Sequence, residues 1–233
     1  MKRIRLKAVA IKKKRIVSFI FIIVFVVASC LFPHILSVDS PKARYTIVID
    51  AGHGGIDGGA VGTQTKIEER DLNLIYAKTL KRVCEEFGFK VVLTRSDENG
   101  LYSPLAKNKK KSEMQKRQDI IESVKPDLLV SIHMNSFPKQ SCRGAQVFYA
   151  ESNEGGMLLA QKIQESLHAK IEFAKSTPKV GDYYVLNCTR CAGVLIECGF
   201  LSNKEEEMLL QQKEYINDFC YQVFCGILQF FKM

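Results

Sequence analysis

Three side chains of this sequence stand where chemistry is done. His53 sits in Ala51-Gly52-His53-Gly54-Gly55, just beyond a short β-branched run from Tyr45 to Ile49. His133 closes a second such run, Asp127 to Ile132, and Glu197 closes a third, Gly193 to Ile196. Runs of this kind read as strands. In open α/β sheets, ligands bind in the crevice outside the C-terminal strand ends. Three groups able to bind a metal or move a proton are therefore expected at one sheet edge. Either histidine alone reads as an ordinary satisfied side chain; two at equivalent strand ends favour a shared metal.

A catalytic zinc commonly takes two histidines and one carboxylate and keeps one position for water. Glu68 and Glu69 both precede the first predicted helix, and spacing does not choose between them. One of the pair can complement the helix dipole while the other binds metal. Glu197, between Ile196 and Cys198, is costly to bury unless paired or used. Beside a metal-activated water it suits a general base that passes the proton on to a leaving amine. A phosphate cradle in the glycine-rich stretch Ala51–Gly62 is poorly supported, because no Lys-Ser/Thr pair follows. The remaining histidines, His34 and His168, read as exposed or dipole-pairing groups.

The elements that must position these residues alternate between strand and helix. A helix is expected over Asp71–Phe87, where Leu72, Ile75, Leu80, Val83, Cys84 and Phe87 recur at three- and four-residue steps before Gly88. Phe89–Thr94 reads as a strand, and residues 96–111 as a long polar loop carrying Lys107, Lys109, Lys110 and Lys111. Ser112 and Gln115 form a capping box for a helix ending at Val124. A strand at Ala145–Tyr149, a helix at Gly156–Ala169, a short strand at Tyr183–Leu186 and two closing helices that end at Phe231 complete the pattern. The expected architecture is one layered α/β domain, with a mostly parallel or mixed sheet flanked by helices.

Composition limits the class. A chain of 233 residues with 46% apolar content needs one core, not two. The net charge of +9 is not spread over the domain: Lys2, Arg3, Arg5, Lys7, Lys12, Lys13, Lys14 and Arg15 account for nearly all of it. A nucleic-acid binder would carry that excess on its folded surface, so no nucleic acid is expected as a partner. The apolar run Ile16–Phe32 follows, and basic residues before an apolar core read as a secretion signal or membrane anchor. Val27-Ala28-Ser29-Cys30 resembles a lipoprotein signal, in which Cys30 would be lipidated; the alternative is an uncleaved anchor. Residues 1–32 are thus the targeting segment, 33–43 a linker and 44–233 the catalytic domain, lying outside the cytoplasm. Of the eight cysteines, Cys84 and Cys220 fall on apolar helix faces. Cys188 and Cys191 have zinc-knuckle spacing but no second pair to complete a four-ligand site, so a structural role is expected.

Four motifs, in order, resemble the zinc N-acetylmuramoyl-L-alanine amidases of the amidase-3 type. They are Ile49-Asp50-Ala51-Gly52-His53-Gly54-Gly55, Glu69-Arg70-Asp71-Leu72-Asn73-Leu74, Ser131-Ile132-His133-Met134-Asn135-Ser136, and Leu195-Ile196-Glu197-Cys198-Gly199-Phe200-Leu201-Ser202-Asn203. The resemblance spans roughly residues 45–231. It implies His53, Glu69 and His133 as zinc ligands, since the family's carboxylate precedes a basic residue and an Asp, and Glu197 as the catalytic glutamate. It implies hydrolysis of the bond between N-acetylmuramic acid and L-alanine in peptidoglycan. Within the family the chain is similar to the sporulation and germination members, which implies spore cortex as substrate, muramic-δ-lactam as the eventual product and an activating protein partner in some cases. A zinc peptidase on the stem peptide and a non-catalytic wall-binding protein are the rival readings.

Overall fold

The computed structural model describes residues 45–232. The expected targeting segment, Cys30, His34 and the whole of the expected linker lie outside the described residues. The elements run β1 (Thr46–Ala51), α1 (Glu69–Glu86), β2 (Lys90–Leu93), α2 (Lys109–Val124), β3 (Leu128–Asn135), β4 (Gln146–Tyr149), α3 (Glu154–Lys170), β5 (Lys179–Val180), α4 (Tyr184–Asn187), β6 (Ala192–Phe200), α5 (Lys204–Leu209) and α6 (Lys213–Phe231). The strands form one six-stranded sheet in the order β2-β1-β3-β6-β4-β5. The β1, β2, β3 and β6 group is parallel, and β4 joins β6 antiparallel. This is the mixed sheet flanked by helices that the alternating pattern predicts.

Side chains alternate across a strand, so each strand feeds two layers. Ile47 and Ile49 of β1, Val130 and Ile132 of β3, and Val194 and Ile196 of β6 face a core built with α1, α3 and α6. Val48, Leu129 and Leu195 point to the other face and meet Ile121 of α2 and Val185 and Leu186 of α4. In α6 the buried residues Ile216, Phe219, Cys220, Val223, Phe224 and Ile227 follow helical spacing, so one apolar stripe is buried along the helix. Cys84 and Cys220 lie in this core, as expected, and all seven described cysteines are free.

Four local readings differ from the structure. Helix α2 begins at Lys109 rather than at a Ser112 cap: the Asn108 side chain accepts from Lys111 N at 2.9 Å, and Ser112 Oγ accepts from Ser103 N instead. Two caps compete four residues apart, and the earlier one forms. Tyr183–Leu186 is not a strand: Leu186 N and Asn187 N both donate to Tyr183 O, which closes the short helix α4. Strands β3 and β6 run past His133 and Glu197 to Asn135 and Phe200. The two-residue strand β5 gives no sequence signal.

Gly226 of α6 marks a close helix contact, since a Cβ there would lie 2.5 Å from Ile163 Cα in α3. Gly226→Val is expected to force these helices apart and to cost about 1–3 kcal/mol, the usual range for overpacking. Urea unfolding at pH 7 measures this. An unchanged midpoint would mean that α6 packs on α3 with slack.

Candidate active site

The parallel register of β3 with β6 places His133 directly beside Glu197, and Ser131 beside Leu195. The register of β1 with β3 places Asp50 beside Ser131. Neighbouring strands lie about 4.8 Å apart, and residues two apart on a strand share a face. Asp50, Ser131, His133 and Glu197 therefore stand together on the α2 and α4 side of the sheet, near its C-terminal edge.

His53 comes from the chain that leaves β1. Its φ of 59° is left-handed, a costly conformation for a residue with a Cβ. The conformation is held through carbonyl oxygens that have left the sheet ladder. Ala51 O accepts from Arg95 Nε at 3.0 Å and Arg117 Nη1 at 2.9 Å. Gly52 O accepts from Arg95 Nη2 at 2.9 Å and Asn73 Nδ2 at 3.2 Å. His53 O accepts from Arg117 Nη2 at 2.6 Å, and Gly55 O from Arg70 Nη1. Gly52 itself is needed for close approach, because a Cβ there would lie 2.2 Å from His133 Cε1.

Glu69 opens α1, where the helix dipole favours a carboxylate. Its Oε1 lies 3.1 Å from His53 Nε2 and 2.9 Å from His133 Nδ1. Asn73 Nδ2 and Met134 N also donate to Oε1, and Ala60 N donates to Oε2. Glu68 is turned to Arg70, 2.5 Å from Nη2. The structure thus brings together His53, Glu69 and His133, each offering one donor atom, all within 4.8 Å of one another. Asp57 Oδ1 lies 3.0 Å from the outer nitrogen of His53, Nδ1. His168 stays apart, with Nδ1 2.9 Å from Ala174 O at the end of α3.

The electrostatics separate the acids of the site. Burial pushes Glu69 up, but the hydrogen bonds and charges of His133 and His53 outweigh it and hold Glu69 well below the usual carboxylate range. Burial pulls His53 down, yet Glu69 and Asp57 hold it above its ordinary value, so a positive charge is favoured at this point. Two imidazoles with one carboxylate are a donor set that fits zinc. Glu197 differs: burial, reinforced by Glu69 against the opposing pull of the histidines, pushes it up to about 7. Its Oε2 is shielded from solvent and has no hydrogen-bond partner among the described residues. These groups line a cleft of about 780 Å³.

Sequence reasoning missed the support beneath the site. Asp50 is buried, accepts from Thr94 Oγ1 and Ser131 Oγ at 2.7 Å each, and pairs with Arg117. Arg117 also pairs with Glu113 at 2.8 Å. Asp50 ends an apolar strand just as Glu197 interrupts one, and the same cost of burial would have singled it out. Arg117 and Arg95 carry no local signal. Glu207 was missed as well: it receives Gln64 N, Thr65 N and both threonine hydroxyls, which pins the loop leading to Glu69.

Comparison with known proteins fits this geometry. Residues 47–229 match the N-acetylmuramoyl-L-alanine amidase family. The germination-specific N-acetylmuramoyl-L-alanine amidase of Bacillus subtilis is 30% identical over 230 residues, covering 94% of this chain and 96% of that protein. The structure of the CwlD amidase from Clostridioides difficile, solved in complex with the GerS lipoprotein, superposes with a TM-score of 0.77 at 33% identity, over 81% of this chain and 99% of that one. The catalytic domain of CwlV, an N-acetylmuramoyl-L-alanine amidase from Bacillus (Paenibacillus) polymyxa, gives 0.72 at 29% identity, over 81% and 99%. The chain belongs to this amidase family and hydrolyses the bond between N-acetylmuramic acid and L-alanine in peptidoglycan.

The Asp50–Arg117 pair gives a pH signature. Burial raises the Asp50 pKa, but Arg117 and the hydroxyls of Ser131 and Thr94 hold it below 3.8. An acid depressed in this way stabilises the fold fully above its unfolded pKa, and that share is lost as pH falls through the folded value. Asp50→Asn leaves Arg117 short of a partner and is expected to cost about 3–5 kcal/mol at pH 7. The gap between variant and native protein should then close as pH falls below 3.8. Denaturant unfolding across pH measures it; a gap that stays constant to pH ~2.5 contradicts an ionised, paired Asp50.

Proposed function

We propose that this amidase is zinc-dependent, that His53, Glu69 and His133 hold the metal, and that Glu197 moves the proton. One observation carries the reading: two imidazole nitrogens, one from the loop after β1 and one from β3, converge on one buried carboxylate, beside a second carboxylate oxygen that has no partner among the described residues. Two histidines and one carboxylate leave a coordination position open for water. Held by these residues, zinc would lower the pKa of a water to about 7 and polarise the scissile carbonyl.

The protein's own groups supply the rest. Asp57 faces His53 Nδ1 and so directs Nε2 inward. Asn73, Met134 N and Ala60 N fix the Glu69 carboxylate. Glu197, with a pKa of about 7, takes the proton of the attacking water and delivers it to the nitrogen that leaves as the amine of L-alanine.

The proposed substrate is spore cortex peptidoglycan, with peptide removal leading toward muramic-δ-lactam. Likeness to the germination-specific amidase over nearly the full length supports it. We place the enzyme outside the cytoplasm, secreted or tethered through residues 1–32, with the linker at 33–43 and the catalytic domain at 44–233. Among the described residues no helix is long and apolar enough to cross a membrane. The neighbour solved with a lipoprotein supports a protein partner for this chain too.

Purified enzyme is expected to hold about one zinc per chain. Glu197→Gln should keep that zinc and lose muropeptide cleavage by roughly 10²–10⁴-fold, while His133→Ala should lose both zinc and activity. Metal quantification and mass spectrometry of the products check this. Intact peptide released from muramic acid is the expected product. Cleavage between two amino acids would instead make the enzyme a peptidase. Wall binding at full zinc occupancy, with no cleavage, would make the site a binding surface.

A further inference from the structure

The cleft carries charge that the hydrolytic chemistry does not use. Lys109 and Lys110, in the first turn of α2, line the same cavity as His53, His133 and Glu197. The Lys109 ammonium lies 5.2 Å from the centroid of the Tyr102 ring, which also lines the cavity. The charge of Lys110 acts on Asp57. Neither ammonium is ion-paired to a carboxylate within salt-bridge distance among the described residues.

Local helix energetics do not account for the two lysines. The first turn of α2 holds no acidic residue, and cations at a helix N-terminus oppose its dipole. Nor are they counter-ions to the other acids of the cleft. Asp50 and Glu113 are paired with Arg117, and Asp182 accepts from Asn187 Nδ2 at 2.7 Å. The lysines are exposed positive charge facing a site that must hold substrate.

The substrate's chemistry supplies the complement. The lactyl carboxyl of muramic acid is consumed in the scissile amide, so the sugar side is uncharged there. The other side is a peptide, and a peptide that begins at L-alanine carries at least one free carboxylate. Negative charge therefore lies on the departing side of the bond. Resting on the amidase reading, we infer that Lys109 and Lys110 bind the carboxylates of the stem peptide and select stems whose carboxylates are free over stems in which they are amidated. The lysines are specificity-determining residues and take no part in proton transfer.

The test uses two muramoyl-peptides of one sequence, with the stem carboxylates free or converted to primary amides. Native enzyme with zinc supplied is expected to favour the free-acid substrate about tenfold in kcat/KM, through KM, and less so as salt rises. K109Q/K110Q should process the two alike at unchanged kcat, and K109R/K110R should restore the preference. Calorimetry of the released peptides, in both forms, gives a reading that does not require hydrolysis. Tighter binding of the free-acid peptide by native protein, lost in K109Q/K110Q, supports the inference even if neither substrate is cut, an outcome that would sink the amidase reading alone. Equal affinities for the two peptides, or a preference that survives in K109Q/K110Q, overturns it.

Discussion

A chain that leaves a sheet must still satisfy its backbone carbonyls, and an unpaired one that stays buried costs free energy comparable to a lost hydrogen bond. Beyond β1 this burden falls on residues 51–53, and guanidinium groups carry most of it. Arg95 and Arg117 share Ala51 O, and each reaches one of the next two carbonyls. An arginine suits the task because its rigid fork presents several donors at once. With those oxygens fixed, His53 is kept in a left-handed conformation that a free chain would abandon. The side chain is placed by what holds the backbone, and no contact to the ring itself is needed for that.

Burying Arg117 creates the next requirement. A buried cation is tolerated when it is paired and hydrogen-bonded. Asp50 and Glu113 provide the pairing, and Thr94 and Ser131 fill the remaining lone pairs of Asp50. Three carboxylates of the site therefore stand in three different environments. Asp50 is depressed by a fixed cation, Glu69 by two imidazoles, and Glu197 is raised to about 7 by burial that the histidines only partly offset. Environments that push pKa values apart are how one site runs several acid and base roles. The two depressed acids suit standing structural and metal-holding tasks, and the raised one suits the proposed proton carrier.

How much of this was legible in the sequence depends on whether a signal is local. The strand that leads to His53 and the strands that carry His133 and Glu197 were legible, because β-branched runs between turn residues read directly. Their ends were not. Glu197 interrupts an apolar run, so the pattern stops the strand at Ile196. In a sheet covered on both faces, Glu197 turns to the cleft, Cys198 returns to the core, and the strand runs on to Phe200. The choice between Glu68 and Glu69 was closed by the resemblance, not by spacing; in the structure Arg70 takes Glu68, and Glu69 faces the two histidines. Asp50 and Arg117 meet across 67 positions, and nothing near either residue announces the other.

The two faces of the sheet divide the labour, and the site sits where that division ends. Helices α1, α3 and α6 cover one face with apolar side chains, and the polar residues of the strands turn to the other. Glu69 belongs to α1, on the apolar side, while His133 belongs by alternation to the polar side. They can meet only around the C-terminal edge of the sheet. The edge is open there because Gly52 has no side chain: a Cβ would occupy the space of the His133 ring. The absence of one side chain thus lets a helix on one layer and a strand facing the other share a cluster. It also explains why the donors come from such distant parts of the chain, since the loop after β1, the start of α1 and the end of β3 all reach that edge.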